Sequence, residues 1–260
     1  MFPSHRLRDF SLLAAADVEA LRTLGGPPVA LPRHSIIRSE GATDRSAYLL
    51  VDGWVSSSML LAGGERQILK LHLPGDMLGS TGMCLDHAID TLAALTPVIV
   101  RKVPLAALGQ LMAKSPRMAM FMLLSAQKER VALMDRVASN SRTSPTARMA
   151  FLLLDLHQRL SAIGQADHDS FEIAITQEQL GDIVGLTSVH VNRVLREMER
   201  EDLIQRHRRR VWIVDFDHFR TVARIPRRDM SVDPSWRILD TPDEDAQRQG
   251  PASSTASTAA

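Results

Sequence analysis

The spacing of hydrophobic positions changes along the chain and divides it into segments. Residues 10–24 (FSLLAAADVEALRTL) place apolar side chains at helical spacing, and two glycines and two prolines follow at 25–28. From residue 29 to residue 104 the pattern becomes short runs rich in Val, Ile and Leu, separated by turns such as DG at 52–53 and PGD at 74–76. This pattern predicts one short helix followed by a compact all-β roll or barrel.

A long uninterrupted helix is predicted next. Ser115 and Pro116 fit an N-cap followed by proline at the first helical position, and no Gly or Pro recurs until Pro145. Apolar residues at a seven-residue repeat indicate a two-stranded seam between two copies of this helix. The seam residues would be Met120, Leu124, Gln127, Val131, Met134 and Ala138. A helix packed only on its own β domain remains an alternative, because the apolar residues 121–123 widen the surface beyond a strict seam.

Two helices joined by a tight turn are predicted further along the chain. Thr176 with Gln179 three residues later fits a capping box, and Gly185 ends the first helix, QEQLGDIV. The second helix begins at Thr187 or Ser188 and carries a narrow apolar stripe that would pack on the first helix. The stripe residues are Val191, Val194, Leu195 and Met198.

The opposite face of this second helix is basic, with one exception. Three arginines, Arg193 among them, lie on it together with Val189, and Asn192 and His190 lie on its flanks. An isolated exposed valine is normal and proves nothing by itself. Beside Asn and Arg at the start of a helix that could contact DNA, however, Val189 fits a contact to a thymine methyl group.

A basic hairpin is predicted directly after the helix pair. Four arginines, at 206 and 208–210, precede the strand-like run VWIV. Taken alone, such a cluster is more often a solvated surface than a binding site. Its position after a helix-turn-helix pattern favours DNA binding, since the tip of a hairpin can place cations on phosphates.

Composition narrows the class of protein. The 260 residues allow two domains, and a formal net charge of +1 means that any DNA-binding surface must come from local clustering. Cys84 is the only cysteine, which excludes a disulfide framework and any four-cysteine iron–sulfur or zinc site. No run approaches the roughly 20 apolar residues that span a bilayer. A cytoplasmic protein without a membrane partner is therefore expected.

These motifs resemble the Crp/Fnr family of transcription regulators. The run ITQEQLGDIVGLTSVHVNRVLREMEREDLI is similar to the family's winged helix-turn-helix, and the β region containing LHLPGDMLG is similar to its cyclic-nucleotide-binding-like β-roll. The resemblance implies an α+β fold with a β-roll sensor domain at 10–114, a dimerisation helix at 115–141 and a winged helix-turn-helix domain at 142–226. The small and polar residues of the tail at 227–260 are expected to be disordered.

The resemblance also implies a homodimeric regulator that binds a two-fold symmetric site on double-stranded DNA, with RNA polymerase as a candidate further partner. The family's base contacts fall here on Val189, Asn192 and Arg193. Many members carry Glu at the first of these positions. Because Val cannot accept a hydrogen bond from cytosine, a different half-site preference is expected. Contacts to the DNA backbone or flanks are expected from Thr176, Gln177, Thr187, Ser188, His190, Arg196, Arg208 and Arg209.

The matching effector pocket departs from the cyclic-nucleotide pattern. Members that bind cyclic nucleotides use Glu for the ribose and Arg for the phosphate, whereas Ser80 and Asp90 stand at those positions here. A carboxylate beside a buried phosphate is repulsive, so tight binding of cyclic AMP or cyclic GMP is not expected. The candidate pocket for an unidentified small-molecule effector comprises Gly79, Ser80, Cys84, Asp90, Thr91, Asp135 and Arg136.

Two other functions compete with a DNA-binding regulator. One is a ligand or redox sensor whose winged domain binds proteins; Cys84 is expected to be buried, and a buried cysteine is more often a packing residue than a sensor. Cys84, His72 and His87 have irregular spacing, so no haem, metal or other cofactor is predicted. An enzyme is not favoured, because no Ser/His/Asp order, phosphate-cradling glycine loop or metal-ligand spacing stands out.

Overall fold

A computed structural model describes residues 15–224 of the chain. The predicted tail at 227–260 lies outside the described residues, as do the first five residues of the helix predicted at 10–24. The described part comprises two antiparallel sheets, a long helix and a small winged unit.

The N-terminal part is a β-roll of two four-stranded antiparallel sheets. A helix, α1 (Ala15–Thr23), precedes it. The strands are β1 (Pro28–Leu31), β2 (Ile36–Arg38), β3 (Ser46–Asp52), β4 (Val55–Leu60), β5 (Arg66–His72), β6 (Met77–Leu78), β7 (Thr91–Ala94) and β8 (Val98–Pro104). The strand orders are β1-β8-β3-β6 and β2-β7-β4-β5, so β5 is an edge strand. The faces enclose an apolar core in which Leu50, Val55 and Leu92 are fully buried, and the predicted all-β region is confirmed.

Two helices follow the roll, and the sequence predicted only the longer one. The short helix α2 (Leu105–Lys114) is mostly apolar, and periodicity alone cannot separate such a buried segment from a strand. The long helix α3 (Pro116–Arg142) runs for about seven turns. The Ser115 hydroxyl accepts the Met118 backbone N–H at 3.2 Å, as expected for its N-cap.

Helix α3 packs one face on the roll and exposes the other. Met118 and Phe121 lie in a core cluster shared with the roll and α2. On the exposed face, Met134 and Val137 keep 59% and 68% of their surface accessible. Among the predicted seam residues, Gln127, Met134 and Ala138 are exposed, whereas Met120, Leu124 and Val131 are partly buried. The exposed apolar stripe is thus rotated from the predicted seam toward Leu123 and Val137, and the seam itself stays a prediction.

The C-terminal part is a winged helical unit. Its elements are α4 (Pro145–Ser161), β9 (Ser170–Glu172), α5 (Gln177–Val184), α6 (Ser188–Arg200), β10 (Ile204–His207), β11 (Arg210–Ile213) and α7 (Phe216–Ala223). The sheet order is β10-β11-β9, with Val211 opposite Phe171. Strand β9 has only three residues. Helix α7, begun by the Asp215 cap, was not predicted.

One apolar core joins the winged unit to the roll. Phe171, Leu153 and Met198 of the winged unit are fully buried. They belong to the same cluster as Trp54 and Leu71 of the roll. The position of the winged unit is therefore fixed by burial against strand β5 and against Trp54, which precedes β4, as well as by the chain connection through α3.

Candidate nucleic-acid interface

Helices α5 and α6 form a helix-turn-helix whose ends are fixed by local capping. At the start of α5 the Thr176 N–H donates to the Gln179 side-chain oxygen at 2.9 Å, and the Gln179 N–H donates to the Thr176 hydroxyl at 3.2 Å. Gly185 ends α5 with a φ of +67°, a left-handed conformation that favours glycine. The Thr187 hydroxyl then accepts the His190 N–H at 3.3 Å and begins α6. The predicted capping box and turn are present in the structure.

The two faces of α6 separate as the sequence pattern indicates. The four predicted stripe residues are all buried. On the other side Val189 keeps 79% of its surface accessible. An open cleft of about 610 Å³ lies along this face. It is lined by Val189, Asn192, Arg193, Arg196, Glu199 and Arg200.

The side chains along the cleft have the chemistry needed to recognise bases. Arg193 offers a planar fork that matches two acceptors on a guanine edge, and Asn192 can donate and accept on an adenine edge. Val189 offers only methyl groups, which suit a thymine methyl. The structure brings these three predicted base-contact residues together on one exposed surface.

The four arginines of the hairpin divide into two pairs. Arg206 lies 2.7 Å from the Glu199 carboxylate on α6. Arg210 pairs with Asp167 and donates to the Ser170 hydroxyl at 3.2 Å. Both therefore hold the hairpin to the helices and to β9. Between them, Arg208 and Arg209 are exposed at the hairpin tip, and within residues 15–224 neither takes part in an ion pair.

The residues predicted at the DNA flanks also lie on the surface. Gln177, Ser188 and Arg196 are exposed, and His190 is partly buried. Thr176 and Thr187 are exposed too, although their hydroxyls serve first as helix caps. The hydroxyls of these two threonines would therefore have to cap a helix and contact DNA at the same time.

Sequence reasoning missed several residues that position the interface. Arg148 of α4 donates to the Val184 carbonyl at 2.9 Å and satisfies the end of α5. Glu199 fixes the hairpin through Arg206, as described above. Their sequence signal is weak, because Arg148 acts across 36 residues and a Glu on a charged helix face is usually solvated.

The effector pocket predicted in the roll contains a buried ion pair. The Arg38 guanidinium of β2 lies 2.6 Å from the Asp90 carboxylate, and each side chain is only 4% exposed. The Ser57 hydroxyl of β4 also donates to Asp90. A Cβ added to Gly79 would come within 2.5 Å of Arg38 Nη1, so the arginine occupies the space beside that residue. Asp90 is thus neutralised from within the chain.

Little space remains at this position. The cavity bounded by Arg38, Gly79 and the loop at 82–88 has a volume of about 10 Å³, roughly that of one water site. Thr91 follows Asp90 in the chain, and its hydroxyl accepts the Glu40 N–H at 3.1 Å. Ser80 is partly buried and begins a short 3-10 turn.

The structure also places the remaining predicted pocket residues, Cys84, Asp135 and Arg136. Cys84 is exposed, so the expectation that it is buried was wrong; it lies in the segment between β6 and β7. Within residues 15–224, no group of three or more His, Cys, Asp or Glu could hold a metal ion. Asp135 is partly buried, and Arg136 donates to the Leu69 carbonyl of β5 rather than to Asp90. Burial lowers the pKa of the Arg136 guanidinium, and the nearby Asp155 acts in the opposite direction.

Comparisons with known proteins agree with this geometry. A family model for a cyclic nucleotide-binding domain matches residues 28–115, and one for a Crp-like helix-turn-helix domain matches residues 147–222. Neither model describes a catalytic domain. In the part of the chain at 15–224, no helix is both long and apolar enough to cross a membrane.

Several relatives align with most of this chain. The regulatory protein HlyX of Actinobacillus pleuropneumoniae is 26% identical over 66% of this chain and 71% of its own length. The transcriptional activator protein FnrA of Stutzerimonas stutzeri is 24% identical over 76% of this chain and 81% of its own length. The solved structure of FixK2 from Bradyrhizobium japonicum superposes with a TM-score of 0.70 at 21% identity, covering 78% of this chain and all of that one.

The buried ion pair of the roll leads to a stability prediction. Replacing Arg38 with Met leaves the Asp90 carboxylate buried without its cation, which we expect to lower the free energy of unfolding by about 3–5 kcal/mol. Urea denaturation followed by tryptophan fluorescence, to which the buried Trp54 contributes, measures the change.

Two comparisons complete the test. The exposed Arg45, 3.4 Å from the exposed Asp86, provides a matched control: Arg45→Met should cost less than about 0.5 kcal/mol. Adding Asp90→Leu to Arg38→Met should recover much of the loss, because the uncompensated charge is gone. An equal cost for Arg38→Met and Arg45→Met would show that the pair does not stabilise the roll.

Proposed function

Because the chain belongs to the Crp/Fnr family of transcription regulators, with a DNA-binding helix-turn-helix and an effector-type β-roll, we propose a specific mode of action for it. The protein binds a two-fold symmetric DNA site as a homodimer. Each α6 lies in the major groove of one half-site, and the β-roll responds to a signal other than a cyclic nucleotide.

The exposed face of α6 supports specific base recognition. Val189, Asn192 and Arg193 share an open cleft whose apolar back is buried against α5. A partner with acceptors and methyl groups at the right spacing satisfies all three residues. Arg208 and Arg209 at the hairpin tip, which form no ion pair within residues 15–224, supply phosphate contacts beside the bases that these three residues read.

The homodimer is proposed from the unpartnered face of α3. Leu123, Met134 and Val137 expose large apolar surfaces along one side of a helix of 27 residues. A second copy of the same helix would remove this surface from water and would place two α6 helices about a two-fold axis. RNA polymerase is a candidate partner of the DNA-bound dimer.

The signal is proposed to differ from cyclic AMP. Where the phosphate of a cyclic nucleotide would lie, the roll already holds a cation and an anion of its own, which pair with each other. Arg38 already compensates Asp90, and the adjoining cavity holds about one water. The single cysteine cannot ligate an iron–sulfur cluster alone, and we propose no haem or other resident cofactor.

The proposed DNA interface predicts different effects for two arginines. With an operator enriched by the protein from random duplexes, Arg193→Ala should cost about 1–3 kcal/mol of discrimination at one base pair of each half-site. Arg208→Ala should weaken binding to all duplexes and lower the slope of log affinity against log salt by about 0.9 for each lost contact. Fluorescence anisotropy over a salt series measures both effects.

Arg45→Ala is the matched control, because Arg45 is an exposed arginine on the roll and should leave affinity and salt slope unchanged. If Arg193→Ala weakened specific and unrelated duplexes equally, the assignment of Arg193 to a base would be wrong. Salt-independent binding with no enriched sequence would instead favour a winged domain that contacts protein.

The filled effector position predicts no response to cyclic nucleotides. A ligand bound with a Kd of about 10 µM would stabilise the protein by about 2.7 kcal/mol at 1 mM, which a thermal unfolding scan detects easily. We expect no shift with cyclic AMP or cyclic GMP and no change in DNA affinity. A saturable shift would contradict the proposal that Arg38 and Asp90 close the site.

The exposed stripe of α3 predicts the site of dimerisation. Met134→Asp places a charge in the proposed seam and should convert the protein to a monomer in sedimentation velocity runs, without loss of helix content. Ala132, exposed on another face of α3, supplies the control, because Ala132→Asp should remain a dimer. Equal behaviour of the two variants would place the dimer contact elsewhere.

A further inference from the structure

One contact on α6 is not explained by helix packing. Arg193 Nη2 lies 2.7 Å from His190 Nε2, one turn earlier on the same exposed face. Arginine has only N–H donors, so the imidazole nitrogen must accept. His190 is therefore neutral in this contact, with its remaining proton on Nδ1.

The neighbouring groups fix the position of His190 and leave Arg193 without a carboxylate partner within residues 15–224. His190 is held at the helix start, since its backbone N–H donates to the Thr187 cap. Its side chain is partly buried, whereas Arg193 is exposed. Within residues 15–224, no carboxylate forms an ion pair with Arg193, although Glu197 lies one turn further along α6. By contrast, Arg206 is held by a carboxylate, Glu199.

The difference between a neutral and an anionic partner matters for DNA. A carboxylate would compete with guanine for the guanidinium and would repel neighbouring phosphates. A neutral imidazole acceptor uses one N–H, leaves the full positive charge, and restricts the rotamers of a long side chain before binding. Other N–H groups of the fork stay available for the two acceptors of guanine.

We propose that His190 is a positioning residue for Arg193: by accepting one N–H it orders the guanidinium in advance and so sets how strongly the protein prefers guanine at that base pair. This inference rests on the proposed function, and it gives His190 a task other than a phosphate contact. Ordering a recognition side chain before binding reduces the entropy lost in the complex.

A double-mutant cycle with a modified base tests the proposal. The full-length protein is titrated with its enriched operator and with the same duplex carrying 7-deazaguanine, which lacks N7, at the Arg193 base. The wild type should lose about tenfold in affinity upon this replacement. His190→Ala should lose only about twofold, and His190→Gln, which retains an acceptor oxygen, should recover most of the wild-type loss. In an Arg193→Ala background, His190→Ala should have little further effect.

The controls separate positioning from other causes. His218→Ala, at an exposed histidine on α7, should behave as the wild type. If His190→Ala kept the full tenfold loss and weakened all duplexes alike, His190 would be a backbone contact and the inference would be overturned. If the wild type enriched no operator at all, the proposed function would fail, and this inference with it.

Discussion

The unpaired edge of strand β5 is the constraint on which the arrangement of the two halves depends. Within residues 15–224, β5 pairs only with β4, so its outer carbonyls need partners from elsewhere. Arg136 of α3 donates to the Leu69 carbonyl, and Arg159 of α4 donates to the Leu71 carbonyl. At the start of the strand, Arg66 donates from Nε to the Asp182 carboxylate on α5 at 2.8 Å. The long helix and both helices that support α6 are thus tied to one strand of the roll.

This arrangement gives the roll a short physical route to α6, the helix that is proposed to contact DNA. Asp182 lies on α5, and α5 is joined to α6 through the fixed turn at Gly185. The apolar core is also continuous across the junction, from Trp54 and Leu71 to the helices. Packed cores rearrange between discrete states more readily than they deform. A signal that shifted the population between two such arrangements would therefore act on α5 and α6 through β5.

The parts that could be predicted from sequence are those fixed by local rules. The capping box at Thr176, the buried stripe of α6 and the N-cap at Ser115 depend on residues three or four positions apart. The pairing of Arg38 with Asp90 spans 52 residues, and that of Arg66 with Asp182 spans 116. No periodicity encodes such pairs, because each partner alone looks like an ordinary strand or helix residue. The exposure of Cys84 was missed for a related reason, since burial in a loop depends on the elements that cover it.

The distribution of arginine partners explains how a chain with a net charge of +1 can present a DNA-binding face. Two arginines that stabilise the fold pair with carboxylates: Arg206 with Glu199 and Arg38 with Asp90. Where an arginine faces the cleft or the hairpin tip, its charge stays uncompensated or, for Arg193, is held by a neutral imidazole. Carboxylates thus compensate Arg206 and Arg38, whereas Arg193, Arg208 and Arg209 of the winged unit take part in no ion pair within residues 15–224. Local compensation of this kind, rather than total charge, determines whether a protein attracts a polyanion.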